Sequence, residues 1–417
     1  MQKQLRNVEA RLITLPARLL FRLIKLLTLS LLGAGVAVTI IVIRHLLNTP
    51  QRLDNILPGE ARIYRWKHGH ISYNVLGAEN APPLVLLHNL GIDASSYEMR
   101  TIVEPLAKYY RIYALDLLGF GLSDRPSLNY SAETYISLCR DFLTEVIQQP
   151  ARAGTSLEGT TRAPTLLASG LTCNYAVAVA QTVPTLCERL VLISPIALLT
   201  PDAQKGCTIN RPPTGAGTCW INPHSTVSPG QRPALVPSWF APVLGGTRLQ
   251  KLLEIPLIQS LLFALLERAT LAAAQRSHSV ETISGVYGAR FNTFAPLAPT
   301  QRDINYLYAT THRFGAEHAP MALLAGKLIP DVSDQLEALQ QPTLIIWGVG
   351  RGPAKGVQPA PLHTARALTK NNADGLPLNT QLALIPDAGL YVHEEYPEIV
   401  VSTIREWITE GQATENL

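Results

Sequence analysis

Charge is scarce in this chain. Asp, Glu, Lys and Arg make up 16% of its 417 residues, against 47% apolar ones, a balance that excludes a disordered polypeptide. Basic residues are missing where a nucleic-acid surface would need them. The net charge of +4 is carried by the first 48 residues, where Lys3, Arg6, Arg11, Arg18, Arg22, Lys25 and Arg44 oppose Glu9 for a net +6. The rest of the chain is left with −2. A folded part without a basic stripe does not bind nucleic acid. Long apolar runs are nearly absent too, which excludes a polytopic membrane protein. No internal repeat is present.

The one long apolar run is "LLTLSLLGAGVAVTIIVI", residues 26–43, framed by Lys25 and Arg44. Eighteen uncharged residues at 1.5 Å each come close to a hydrocarbon core of ~30 Å. A signal peptide would have a shorter apolar region followed by a small-residue cleavage site, whereas this run ends in "RHLLNTP". It reads as a single-pass membrane anchor within an N-terminal segment 1–48. Arg6, Arg11, Arg18, Arg22 and Lys25 precede it, and Arg44, Arg52 and Arg62 follow it. This excess places the N-terminus in the cytoplasm and the large domain outside. The preceding "ARLITLPARLLFRLIKLL" is basic and amphipathic, suited to the membrane surface.

The five cysteines leave the compartment open. Cys139, Cys173 and Cys187 fall in helix-like stretches, where a thiol is a small apolar side chain. Cys207 and Cys219 bracket a Gly/Pro-rich loop, and a disulfide there would suit an exported domain; free thiols fit the sequence equally well. His68 and His70 in "KHGH" have no third ligand at a fixed spacing, so they read as turn residues. Neither a metal nor a cofactor is expected.

After a linker (49–61), strands and helices alternate. "RIYRWKHGHISYNVLG" predicts a hairpin. "PLVLLH", "YRIYALD", "TLLAS", "RLVLIS", "PTLIIWG" and "QLALIP" are short buried runs of the parallel-sheet type. Helical patterns cover 95–108, 131–148, 171–182, 362–370 and 397–410. Such alternation predicts a parallel sheet covered on both faces. About 147 residues without a convincing core strand separate "RLVLIS" from "PTLIIWG", too long for a simple connection. The expected organisation is a core in two parts, 62–197 and 339–417, around a lid insertion at 198–338. Its stretch "IPLIQSLLFALL" suits packing on the core, or a membrane or partner surface.

"LVLLHNLGIDASSY", "IYALDLLGFGLSDRP", "TLLASGLTCNYAVAVA", "RLVLISP", "PTLIIWG" and "LIPDAGLYVHEEYPEIV" resemble, in order, the landmarks of the α/β-hydrolase fold. The subgroup they resemble holds epoxide hydrolases, haloalkane dehalogenases and carboxyl esterases. The resemblance implies an α/β fold with a mostly parallel eight-stranded sheet, helices on both faces and a large helical lid, here preceded by one transmembrane helix.

The same resemblance implies where a catalytic triad would stand. The family's nucleophile occupies a small-x-nucleophile-x-small elbow after the fifth strand. Ala168-Ser169-Gly170-Leu171-Thr172 puts Gly170 at its apex. Moving the apex to Ser169 brings bulky Leu167 and Leu171 to the flanks, and Cys173 is flanked by Leu171 and Tyr175. The acid of the W-G-x-x-D pattern becomes Arg351, which would repel an imidazolium. Asp202 lies too far beyond the sixth strand to replace it. The histidine of A-G-H-x-x-x-x-E-x-P becomes Leu390, with Glu395 and Pro397 in register. His393 matches a second, non-catalytic histidine of many members.

The oxyanion loop reads His88-Asn89-Leu90. Its backbone donors, with the Leu171 amide, are expected to remain able to bind an anion or a carbonyl oxygen. Three functions stay open. The leading one is a membrane-anchored pseudo-hydrolase that binds an apolar small molecule under the lid or a membrane-protein partner. The second is an active hydrolase using Ser169 and His393 with Asp387 or Glu394. The third is a structural subunit of a membrane complex.

Overall fold

The computed structural model describes residues 52–148, 163–195, 219–220, 255–277, 300–349 (apart from 331, 333–334 and 336–337) and 380–415 (apart from 387 and 389–390), together with Gly35. The membrane span, Cys207, Arg351, Asp387 and Leu390 lie outside the described residues, so neither the anchor nor the Cys207–Cys219 disulfide has a structural counterpart here. No helix among the described residues is long and apolar enough to cross a membrane.

The strands are β1 (Glu60–Trp66), β2 (Gly69–Leu76), β3 (Pro83–Leu87), β4 (Arg111–Leu115), β5 (Thr165–Ser169), β6 (Arg189–Ile193), β7 (Cys219–Trp220), β8 (Thr343–Val349) and β9 (Thr380–Pro386). They form one sheet in the order β1-β2-β4-β3-β5-β6-β8-β9-β7. The expected hairpin is β1 and β2, which pair antiparallel around the Lys67-His68 turn. From β4 to β9 the pairing is parallel. The sheet thus has the expected eight strands and one more. The addition, β7, pairs two residues antiparallel to β9 from within the 198–338 insertion. So short a piece carries no hydrophobic alternation to announce it.

Alternation along the buried strands sorts their side chains to two faces. Leu84, Leu86, Leu167, Val191, Ile193, Leu344 and Ile346 join one core with α1 (Arg100–Ala107), Val392 of the short α7 (Val392–Glu395) and α8 (Pro397–Glu415). Val85, Leu87, Leu166, Ala168, Leu190, Leu192 and Ile345 join the other with α2 (Ala132–Phe142) and α3 (Thr172–Thr182). Both faces are covered, so these strands are apolar at every position rather than at alternate ones.

Apart from β7, the described elements of the insertion are helices: α4 (Pro256–Ser277), α5 (Gln301–Thr311) and α6 (His318–Leu324). Phe263 and Ala264 of α4 are buried, with Phe263 packing on Ala316 and Met321. The Glu267 carboxylate faces His312 Nδ1 at 2.8 Å, both buried. The lid meets the core where Tyr97 Oη donates to Asp303 Oδ1 at 2.8 Å and Arg100 reaches the same oxygen at 3.4 Å.

Candidate functional site

Six parallel strands end on one edge, and β5 lies near their middle. The chain leaves β5 through Gly170 at φ +60° and enters α3. The left-handed conformation is cheap for glycine and unfavourable for most other residues. The Gly170 N–H donates to Ile193 O at 2.9 Å, which holds the turn against β6.

The loop after β3 comes to meet this turn. Asn89 is buried, and its Oδ1 accepts the Leu90 N–H at 2.8 Å and the Leu171 N–H at 2.9 Å. Its Nδ2 donates to Tyr391 Oη at 3.4 Å. The two amides expected to receive an anion or a substrate carbonyl therefore receive the chain's own carboxamide oxygen. A Cβ on Gly170 would fall inside the van der Waals surface of Asn89 Cγ and Oδ1. The carboxamide thus stands where a side chain at the apex would begin.

His88 and Leu90 have different tasks. His88 is fully buried, with Nδ1 2.6 Å from Asn89 O and Nε2 accepting the Leu117 N–H at 3.1 Å. An Nε2 that accepts leaves the proton on Nδ1, so the ring is a neutral staple between the loops after β3 and β4. Leu90 contributes its backbone N–H.

Ser169 and His393 are brought together by a residue that the sequence did not single out, Glu98. Its Oε2 accepts the Asn89 N–H at 2.9 Å. Its Oε1 lies 3.2 Å from His393 Nε2, an ion-pair distance without the alignment of a hydrogen bond. Ser169 lies close enough to the same carboxylate to favour its ionised form. Burial would raise the Glu98 carboxyl, but His393 and the Ser169 hydroxyl outweigh it and hold the group below its ordinary range. The only local hint of Glu98 was an acidic side chain in the otherwise apolar "SYEM".

Glu394, considered as an alternative acid, turns instead to Arg100 at 3.1 Å. The end of β6, where an acid was sought, carries Ser194. It is buried at φ +44°, and its hydroxyl has no hydrogen-bond partner among the described residues. Cys173 is buried, and burial raises its thiol well above the ordinary range. Among the described residues no group of His, Cys, Asp and Glu has the arrangement of a metal site.

The sequence pattern of the alpha/beta hydrolase family matches residues 84–403. A 2-hydroxy-6-oxo-6-(2'-aminophenyl)hexa-2,4-dienoic acid hydrolase of Metapseudomonas resinovorans is 33% identical over 76 residues, 18% of this chain and 26% of that protein. The chain thus aligns with about a quarter of that relative's length. Among solved structures, Cfl2 of Burkholderia cenocepacia superposes with a TM-score of 0.55 at 18% identity, over 86% of this chain and 99% of that one. A loop variant of the haloalkane dehalogenase DbeA of Bradyrhizobium elkanii does so with a TM-score of 0.53 at 17% identity, over 86% and 98%. At such identities the likeness is one of fold. With its elbow, its oxyanion loop and its sheet in family order, and with the family's pattern running through most of its length, the chain belongs to the alpha/beta hydrolase family.

Proposed function

We propose that this protein is a membrane-anchored pseudo-hydrolase, which binds an apolar small molecule under its lid or a membrane-protein partner and does not turn over substrate. One observation carries this reading: the Asn89 carboxamide occupies both oxyanion amides and the space above Gly170. Triad chemistry needs a nucleophile at the apex and a vacant place for developing negative charge. Glycine supplies no nucleophile, and the vacancy is filled. Arg351 and Leu390 at the sequence positions of the acid and the base argue the same way. The anchor rests on the uncharged run 26–43.

An active site built on Ser169 and His393 is less well supported. In a working triad the histidine stands between serine and acid; here Ser169 and His393 each act on the Glu98 carboxylate, and no hydrogen bond joins Ser169 to His393 among the described residues. A carboxyl held below its ordinary range is a poor base, and Ser169 is 2% exposed.

The full chain in detergent is expected to hydrolyse neither short-chain esters nor epoxides nor haloalkanes, and to remain unlabelled by a fluorophosphonate probe. Esterase turnover abolished by Ser169→Ala would overturn the proposal. The anchor is tested separately: alkaline carbonate should leave the protein in the membrane fraction, and its release would remove the anchor from the reading.

A further inference from the structure

One guanidinium at the seam between core and lid serves two carboxylates from distant parts of the chain. Arg100 opens α1. Its Nη2 donates to Glu394 Oε2 of α7 at 3.1 Å and lies 3.4 Å from Asp303 Oδ1 of α5, while its Nη1 lies 3.1 Å from Glu394 Oε1. The two acids therefore meet on a single nitrogen. All three side chains are half-buried, where salt screens charges less than at an open surface.

Tyr97 fixes the guanidinium in place. Its ring centroid is 4.4 Å from Arg100 Cζ, and its carbonyl accepts from Nη1 at 3.3 Å. The same ring stacks on Tyr306 of α5 at 4.3 Å and 27°, and its hydroxyl donates to Asp303 Oδ1 at 2.8 Å. Asp303 divides its carboxylate between two tasks. Oδ2 accepts the Thr300 N–H at 2.7 Å and the Thr300 hydroxyl at 2.6 Å, closing the capping box of α5. Oδ1 faces the core. Burial works against the Arg100 charge, but Glu394 and then Asp303 outweigh it and raise the guanidinium above its ordinary range.

A guanidinium fork that joins two carboxylates also cancels their repulsion. Without it, Asp303 and Glu394 would be like charges across a partly desolvated seam, and α5 would be pushed away from the core. The contacts are unequal: Arg100 hydrogen-bonds Glu394 and reaches Asp303 only at ion-pair distance. We infer that Arg100 is a latch, which holds α5 of the lid shut on the segment after β3 and opens by releasing Asp303 while it keeps Glu394. The latch stands whether or not the elbow turns over substrate, since none of its residues belongs to the elbow.

The test is hydroxyl-radical footprinting of the full detergent-solubilised chain, read by mass spectrometry at Tyr97, which is 7% exposed, with fully buried Tyr135 as the reference. Arg100→Gln should raise oxidation of Tyr97 about tenfold, the worth of one charge-assisted contact, and leave Tyr135 unchanged. Asp303→Asn, which keeps Arg100 over the Tyr97 ring, should raise it as well, and it carries the test if Arg100→Gln does not fold. Adding Glu394→Gln to Arg100→Gln should lower the oxidation again, because one of the two facing carboxylates is then gone. Three results would overturn the latch: unchanged oxidation of Tyr97 in Asp303→Asn, an equal rise at Tyr97 and Tyr135, or no recovery on adding Glu394→Gln.

Discussion

The Asn89 carboxamide and the missing Cβ of Gly170 are complementary, since the one fills the volume that the other leaves. Restoring a side chain at 170 while Asn89 remains should therefore be costly. Gly170→Ala should lose about 1 kcal/mol to left-handed strain and a further ~1–3 kcal/mol to overpacking. In an Asn89→Gly background only the strain should persist. Urea unfolding of the four proteins in a double-mutant cycle should give a coupling of about 1–3 kcal/mol, the overpacking loss itself. Additive losses would show that the two residues are independent.

Asn89→Ala tests the other half of the relationship. It leaves the Leu90 and Leu171 N–H groups without their acceptor, at a cost of about 1–3 kcal/mol for buried donors. Hydrogen exchange should accelerate at both amides and little in β5. Unchanged protection would show that another group already caps them.

Glu98 sets a pH dependence. Its carboxyl lies below the usual 4.5 in the folded protein, so its contribution is present above that pH and is lost as pH falls through the folded value. Glu98→Gln breaks a buried pair and should cost about 3 kcal/mol at neutral pH. Urea midpoints of wild type and variant should draw together only as pH falls below about 4.5. A constant gap would separate Glu98 from acid unfolding.

Cys139, Cys173 and Cys187 should be inert in the native state. Burial raises the Cys139 and Cys187 thiols to about 12 and the Cys173 thiol well above its ordinary range, which leaves almost no thiolate at pH 8. Iodoacetamide followed by mass spectrometry should modify them only in denaturant. Rapid native labelling of Cys173 would show that the elbow helix opens.

The sheet was legible because its strands are apolar on both faces and punctuated by Gly and Pro. The elbow was legible because so sharp a turn tolerates only small residues, and "ASGLT" supplies them. The content of the elbow was not legible. Asn89 is 82 positions from Leu171, and nothing in "HNLG" says that its side chain folds back onto the turn. The sequence showed that glycine tolerates the apex; it did not show that a neighbour requires glycine there. Glu98 was missed for a related reason, since its partners Ser169 and His393 are distant in sequence and no short motif joins them.

Three polar links tie the segment after β9 to the start of α1 and the turn just before it: Glu98 to His393, Thr101 Oγ1 to His393 O at 2.8 Å, and Arg100 to Glu394. They join residues about 300 positions apart. During synthesis the Glu98 carboxylate must wait for its counter-charge until nearly the whole chain has left the ribosome, and α8 arrives later still to cover its face of the sheet. A chain stopped near residue 390 would carry a complete lid over a half-covered sheet with a lone charge inside it. Such a product should be a client of chaperones and proteases rather than a smaller working protein.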